Sequence, residues 1–406
     1  MVAASLDRRR FLQFVAAIAL APESRASSGL RVVVAGAGII GASIAWHLAK
    51  AGASVTVIDR QGPATHASRA SFAWINATWS KQPQAYHALN QAGVARWKLL
   101  QPELGLPVHW GGSLEGNADP SKEKELASRV AEQMAWGEQA RILAGGDLAE
   151  LEPNVDFTSL RQVIYSANDG ATNPIASTQV FLDAAIALGA KLLYPCELVG
   201  VNLASGRLKA VATSGGDIAA DRLVLATGAA ADTAKRFADW DVPQRDAPGV
   251  TAATAPMPRI INRVLWMPKV HLHQRDDGRI VLGEEDGPPA SHADRLSGHP
   301  NDFPSREIAL QHAERILKEA QRYVPDLTKV NFENIVIGWR PMPLDGYPVL
   351  GASPARPDVY LSVMHSGVTL APHVGLLAAQ EITQGALAEE LKPYRPDRHF
   401  EPTTGH

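Results

Sequence analysis

The most constraining feature of the sequence is residues 30–60, which read LRVVVAGAGIIGASIAWHLAKAGASVTVIDR. The unbroken apolar run at residues 32–35 is typical of a strand buried on both faces of a parallel sheet. A G-x-G-x-x-G spacing follows, then a helical pattern that stops at Gly52, and then a second strand that ends at Asp59. Strand, glycines, helix, second strand and acid fall in the order that a dinucleotide-binding βαβ unit requires.

The glycines of this unit have distinct predicted roles. Gly36 allows a tight turn, Gly38 lets a pyrophosphate approach the backbone, and Gly41 lets the helix pack close to the strands. The helix amino terminus presents free N–H groups and a partial positive charge to that pyrophosphate. Asp59 suits hydrogen bonds from ribose hydroxyls, which disfavours NADP, but the motif alone does not separate NAD from FAD. The predicted cofactor-binding residues of the unit are Gly36, Ala37, Gly38, Ile39, Ile40, Gly41, Asp59 and Arg60.

Bulk properties exclude some classes of function. The 406 residues are enough for two to three domains. A net charge of −3 gives no electrostatic case for binding nucleic acid or an anionic membrane. Cys196 is the single cysteine of the sequence, so no internal disulfide is possible, and we interpret it as a small buried apolar residue.

The first residues are predicted to be a targeting segment. Arg8 and Arg9 precede a short apolar run at residues 14–21, and this pattern resembles a twin-arginine export signal. The run is far too short to span a bilayer. Residues 1–26 would be removed, which places the mature protein in the periplasm after passage through the twin-arginine export machinery. The alternative is a disordered basic leader on a cytoplasmic enzyme.

Between residues 60 and 77 small side chains dominate without a sustained period, which is typical of a loop that lines a ligand. Hydrophobic periodicity then predicts helices over residues 84–104, 121–144, 175–188 and 305–323. Short β-like runs begin after the third helix.

Five segments carry a resemblance to a known family. They are NDGATNP (168–174), VLATG (224–228), GWRPMPLDGYPVLG (338–351), MHSGVTLAP (364–372) and PYRPDR (393–398). In this order and spacing they resemble the FAD-dependent D-amino acid oxidase superfamily, in its branch of glycine oxidases, sarcosine oxidases and D-amino acid dehydrogenase-like enzymes. The resemblance favours FAD over NAD.

The resemblance implies an α/β fold with two discontinuous domains. A Rossmann-like FAD-binding domain would comprise residues 30–80, 145–240 and 331–398, and an antiparallel-sheet substrate domain would comprise 81–144 and 241–330. The further cofactor-binding residues that it implies are Ser68, Ser71, Val199, Ala226, Thr227, Gly228, His365, Ser366, Gly367, Val368, Thr369 and Leu370. The turn at residues 366–370 opens a helix whose amino terminus suits negative charge on the pyrimidine edge of a reduced flavin.

The resemblance also implies the chemistry. The flavin takes a hydride from a carbon next to nitrogen and leaves an imine that water hydrolyses. Arg340, in the Arg-Pro segment, would bind the substrate carboxylate, and a guanidinium matches a carboxylate bidentately. The alternative is a structural pair between Arg340 and Asp345. We assign no general-base role to His365, because an amine that arrives deprotonated needs no strong base.

Three further histidines are candidates with open alternatives. Some relatives attach FAD covalently through a histidine of the loop that contains His66, but the surrounding Trp and Gly are missing here, so we predict non-covalent FAD. The cysteine used for attachment elsewhere in the family is absent before Arg340. His271 and His273 share one face of a predicted strand and either line the pocket or lie on the surface; their spacing alone is no metal site.

These inferences predict an exported flavoenzyme that oxidises the C–N bond of a small amine or amino acid. Either oxygen or a respiratory acceptor would take the electrons. Two alternatives remain at this point, an NAD-linked Rossmann dehydrogenase and a flavin-binding accessory protein without turnover.

Overall fold

The computed structural model describes residues 29–77, 81–143, 146–284, 302–328 and 330–402. None of the helices in these segments is both long and apolar enough to cross a membrane. The predicted export signal lies outside the described residues. It stays a prediction.

The described segments contain helices and strands throughout. The α-helices are α1 (Ile39–Lys50), α2 (Gln84–Leu104), α3 (Glu123–Ala135), α4 (Gly146–Leu151), α5 (Pro174–Ala187), α6 (Asp232–Ala238), α7 (Arg306–Ala320) and α8 (Gly367–Gln384). The strands are β1 (Arg31–Ala35), β2 (Ser54–Ile58), β3 (Trp74–Ile75), β4 (Val108–Trp110), β5 (Ser113–Asn117), β6 (Ala140–Leu143), β7 (Gln162–Ser166), β8 (Gly170–Thr172), β9 (Lys191–Leu193), β10 (Leu198–Ala204), β11 (Arg207–Thr213), β12 (Gly216–Ala219), β13 (Arg222–Leu225), β14 (Gln244–Arg245), β15 (Pro248–Thr254), β16 (Val264–Met267), β17 (Val270–Gln274), β18 (Ile280–Gly283), β19 (Phe332–Trp339), β20 (Met342–Pro343), β21 (Val349–Ala352) and β22 (Val359–Val363). Two 3₁₀ turns cover Pro120–Lys122 and Glu389–Tyr394.

The glycine-rich unit belongs to a six-stranded sheet with the order β21-β22-β13-β1-β2-β9. All neighbours pair in parallel except β21 and β22. Val32 and Val34 of β1 pack with α1 and α5 in one core, whereas Val33 and Ala35 face a second core that contains β11 and α6. Burial on both faces explains why the apolar run of β1 is unbroken.

A second sheet has eight strands in the order β19-β15-β18-β17-β16-β5-β7-β6. Its neighbours are antiparallel except β16 and β5. Helix α7 buries Ala313, Ile316 and Ala320 in the same core as Leu265 and Leu272 of this sheet. The two sheets confirm the predicted α/β fold, which combines a Rossmann-like parallel sheet with a largely antiparallel one.

The sheets do not follow the predicted domain segments strictly. Strand β7 falls in the predicted FAD segment 145–240 and β19 falls in 331–398, yet both pair within the eight-stranded sheet. Smaller sheets are formed by β3-β8-β4, β10-β11-β12 and β14-β20. The division into an FAD-binding and a substrate domain stays a prediction.

One predicted helix is wrong in its second half. The helix predicted over residues 121–144 ends at Ala135, and Gly137 follows with φ +93°. A left-handed glycine commonly ends a helix. Residues 140–143 then form β6, which pairs with β7, so strand pairing decides the conformation of the chain there. The helices predicted over 84–104, 175–188 and 305–323 are confirmed as α2, α5 and α7.

Candidate active site

The glycine-rich turn between β1 and α1 is packed against the end of β13. Gly36 has φ +109°, and a Cβ atom there would lie 2.3 Å from the carbonyl oxygen of Ala226. A Cβ atom on Gly41 would lie 1.9 Å from the carbonyl oxygen of Gly36. Neither position has room for a side chain. The glycines therefore bring the amino terminus of α1 close to the loop that follows β13.

Asp59 and Ser68 complete this end of the sheet. One carboxylate oxygen of Asp59 accepts a hydrogen bond from the N–H of Ala37 at 2.9 Å, and the other accepts from Gln61 and Gly62 at 2.9 Å each. The N–H of Ile39 donates to Ser68 Oγ at 3.0 Å. These bonds fix the carboxylate at the carboxyl end of β2, beside the positive end of α1.

A cavity of about 860 Å³ opens at the carboxyl ends of the parallel strands. Most of the predicted site residues line it, from both halves of the chain. They are Gly36, Gly38, Ile39, Ile40, Asp59, Arg60, Ser68, Ser71, Ala226, Thr227, Gly228, Arg340, His365, Ser366, Gly367, Val368 and Thr369. The structure thus gathers into one cavity residues that the sequence separates by up to 333 positions (36 to 369).

Four predicted residues do not line the cavity. Ala37 contributes its N–H to Asp59, and Gly41 has only the packing role given above. Leu370 of α8 is fully buried in a core that also contains Tyr86 and Leu89. The side chain of Val199 is 50% exposed, and the neighbouring Leu198 lines the cavity instead. Because successive side chains of a strand point to opposite faces, Val199 turns away.

The amino terminus of α8 is the second helix end at the cavity. Its cap residue, Ser366, has φ +56°, and the first turn contains no acidic side chain. Lys81 Nζ donates to Ser366 Oγ at 2.9 Å, and the hydroxyl of Tyr86 donates to the same oxygen at 3.1 Å. Thr369 is bonded to β3, since its hydroxyl donates to the carbonyl of Trp74 at 3.2 Å.

Arg340 follows β19 and lines the same cavity. A Cβ atom on Gly249 would lie 2.9 Å from its guanidinium, so this glycine makes room for the side chain. Asp345, the alternative partner, is bonded to Arg398 at 2.8 and 3.0 Å. Within the described part of the chain, Arg340 forms no ion pair. Burial lowers the pKa of Arg340, although nearby Glu284 raises it, and a guanidinium stays protonated.

The sequence matches the profile described as "DAO: FAD dependent oxidoreductase" over residues 31–381. The chain belongs to the FAD dependent oxidoreductase family. It is 24% identical to a glycine oxidase of Geobacillus kaustophilus, covering 91% of this chain and 97% of that protein. It is also 24% identical to the mitochondrial sarcosine dehydrogenase of Homo sapiens, covering 97% of this chain and 44% of that longer protein. The crystal structure of L-proline dehydrogenase from P. horikoshii matches with a TM-score of 0.79 at 24% identity, covering 91% and 97%.

Membership in this family confirms the prediction of an FAD-dependent enzyme that oxidises amino acids or amines. The alternative prediction, an NAD-linked dehydrogenase, is therefore wrong. The cavity fits FAD. The cap residues of α1 and α8 make no side-chain cap bond, and neither helix has an acidic residue in its first turn, so both helix ends remain suited to anionic groups. Gly36, Gly38 and Asp59 would hold the diphosphate and ribose, and residues 366–369 would face the flavin ring.

Aromatic side chains form one wall of the cavity of this oxidoreductase. The indole of Trp266 stacks on His271 with ring centroids 4.5 Å apart and contacts Trp74 at 5.3 Å. Phe72 meets His271 edge-on at 4.3 Å. The wall consists of Phe72, Trp74, Trp266 and His271, and Arg340 lines the same cavity. The positive charge of Arg340 contributes to the lowered pKa of His271. Aromatic rings therefore line the cavity together with Arg340 and the buried carboxylate of Glu284.

Both candidate strand histidines are buried, so the surface alternative for them is wrong. Burial lowers the pKa of His271 to about 3, and the nearby charge of Arg340 acts in the same direction. Burial likewise lowers the pKa of His273 to about 3, although its Nε2 donates to the carbonyl of Phe72 at 2.9 Å. Of these two histidines, only His271 lines the cavity. Both rings are uncharged at neutral pH.

Other candidates have simple outcomes. Cys196 is buried, as predicted, and its side chain also borders the cavity. The described residues contain no cluster of His, Cys, Asp and Glu that suits a metal ion. Sequence reasoning missed Lys81 and Trp266, and no local pattern marks either of them, because their place at the cavity depends on contacts with residues far along the chain.

Proposed function

We propose that the enzyme oxidises the C–N bond of a small amino acid whose carboxylate binds Arg340. The observation that carries this proposal is a guanidinium that lines the cofactor cavity and has its alternative partner, Asp345, bonded elsewhere. A substrate carboxylate supplies the charge that a buried cation requires. Bound FAD would accept a hydride from the substrate carbon that is bonded to nitrogen.

The residues around Arg340 favour positioning over acid–base chemistry. His271 is uncharged at neutral pH because its pKa is lowered to about 3, so it is not protonated beside Arg340. The aromatic side chains of Phe72, Trp74 and Trp266 line the cavity and limit the access of water to this part of it. An amino acid that arrives with its amine deprotonated then needs orientation rather than a strong base. The names of the relatives, glycine oxidase and L-proline dehydrogenase, agree with substrates that carry nitrogen next to a carboxylate-bearing carbon.

Anaerobic mixing with a panel of glycine, N-methyl amino acids and D- and L-amino acids tests the proposal. We expect at least one amino acid to bleach the visible flavin band in the absence of oxygen, whereas the corresponding amine without a carboxylate bleaches it much more slowly. Reoxidation with oxygen or with a quinone then identifies the electron acceptor. A yellow protein that no amino acid bleaches would contradict the proposed function.

We further propose that FAD is held without a covalent bond. Nε2 of His66 lies 3.4 Å from a guanidinium nitrogen of Arg60, and the residues around His66 differ from those of the covalently linked relatives. Acid precipitation of the yellow protein is expected to leave the flavin in the supernatant. Flavin fluorescence on the denatured polypeptide band in a gel would refute non-covalent binding.

We also propose export through the twin-arginine route, on the strength of Arg8 and Arg9. The full chain, expressed in a Gram-negative host, is expected in the periplasmic fraction with its leader removed. Replacing both arginines with lysine should leave the protein in the cytoplasm with the leader intact. Equal distribution of the two versions would favour the cytoplasmic alternative.

A further inference from the structure

Two partly buried cations line the cofactor cavity without forming an ion pair in the described part of the chain. One is Arg340, which the proposed function assigns to the substrate carboxylate. The other is Lys81, whose ammonium group has Ser366 Oγ as its hydrogen-bond acceptor at 2.9 Å. Burial lowers the pKa of Lys81 to about 8, so most molecules carry the charge at neutral pH. A desolvated cation without a counter-ion is costly unless an anion arrives.

We propose that Lys81, acting with Ser366 at the amino terminus of α8, stabilises the negative charge that reduction places on the pyrimidine edge of the flavin. This inference rests on the proposed function and on residues 366–369, which line the cavity and would face the flavin ring. Lys81 lines the cavity, and the hydrogen bond described for its ammonium group goes to Ser366, so we treat it as a positioning residue.

Hydrogen-bond accounting at Ser366 supports this role. A hydroxyl group has two acceptor lone pairs and one donor proton. Both lone pairs of Ser366 Oγ are used, one by the ammonium of Lys81 at 2.9 Å and one by the hydroxyl of Tyr86 at 3.1 Å. The remaining proton must be donated, either to Nδ1 of His365 at a long 3.4 Å or to a group in the cavity. A charged donor polarises this hydroxyl and strengthens the bond that it gives.

The surroundings of Lys81 differ from those of Arg340. The negative charge of Asp169 raises the pKa of Lys81. The carboxylate of Asp169 accepts hydrogen bonds from Trp74 and Ser113 rather than from the ammonium group of Lys81. Arg340 instead interacts with Glu284 and His271. The two cations thus share no charged neighbour. One substrate carboxylate at Arg340 leaves Lys81 without a directly bonded anion in the described part of the chain, which favours a second, separate anionic group at the end of α8.

Lys81→Met in the FAD-loaded protein tests the proposal without any substrate. Sulfite adds to the flavin ring and leaves negative charge on the same edge, so its dissociation constant reports the electrostatic field there. We expect about tenfold weaker sulfite binding, equivalent to a reduction potential about 30 mV more negative for two electrons. Lys81→Arg should restore most of the affinity. The matched control is Lys98→Met, because desolvation also lowers the pKa of Lys98, whose ammonium donates to Asn168 at 2.9 Å away from the cavity.

Three results would overturn the inference. If Lys81→Met leaves the sulfite affinity and the reduction potential of the flavin unchanged, the charge of Lys81 does not stabilise negative charge on the flavin. An unchanged potential with a raised KM for carboxylate substrates would assign Lys81 to the substrate. Equal effects of Lys81→Met and Lys98→Met would indicate a general charge effect. If Lys81→Met fails to fold, Ser366→Ala removes the same contact and should shift sulfite affinity in the same direction. Because sulfite and potential need no substrate, a protein that no amino acid reduces still gives a decisive answer.

Discussion

Replacing Gly36 with alanine is expected to weaken FAD binding about 100-fold. The backbone at this residue has φ +109°, and the added Cβ atom would lie 2.3 Å from the carbonyl oxygen of Ala226. Holding a residue with a side chain in such a conformation costs on the order of 1–3 kcal/mol, and the close approach forces the turn away from β13. About 3 kcal/mol corresponds to about 100-fold in affinity.

Flavin absorbance per polypeptide after gel filtration, together with titration of the apoprotein with FAD, measures this effect. Gly200→Ala is the matched control, because a Cβ atom there would lie at an ordinary 3.6 Å from its nearest neighbour, Ala212. That variant should keep its full flavin content. Circular dichroism separates loss of the cofactor from loss of the fold. Full flavin retention in folded Gly36→Ala would contradict the assigned role of the turn.

The glycine-rich unit was predictable because its determinants are local. The apolar run of β1, the glycine spacing and Asp59 lie within about thirty residues, and hydrogen bonds within that stretch position the carboxylate. The mixed fold followed from the resemblance of five short segments. Helices with a strong hydrophobic period, such as α7, were also predictable, because their buried residues recur every three or four positions.

Features that depend on distant partners could not be predicted. The helix expected to continue past Ala135 yields to β6, because pairing with β7 outweighs helical propensity there. His271 lies on the buried strand β17, where it stacks on Trp266 and contacts Phe72, which comes from a loop almost two hundred residues earlier. Lys81 lines the cavity and donates a hydrogen bond to Ser366, 285 positions later. No periodicity or spacing encodes such contacts.

Replacing Arg340 with methionine is expected to raise the KM for amino acid substrates about 100-fold while leaving the flavin content unchanged. Methionine keeps much of the length and apolar volume of the side chain but removes the cation. Removing one partner of a buried, hydrogen-bonded charge pair costs about 2–5 kcal/mol, and about 3 kcal/mol corresponds to about 100-fold. Arg340→Lys should recover only part of the affinity, because an ammonium group cannot form the bidentate contact.

Stopped-flow reduction of the flavin across substrate concentrations separates substrate affinity from the rate of reduction in these variants. Arg275→Met is the matched control, because burial also lowers the pKa of Arg275 but the residue does not line the cavity. An amine without a carboxylate should be oxidised equally well by the original protein and by Arg340→Met, since it never uses the guanidinium. If Arg340→Met binds amino acids as tightly as the original protein, the carboxylate must bind elsewhere in the cavity. Lys81 would then be the next residue to test, because it is the other partly buried cation that lines the cavity without an ion pair in the described segments.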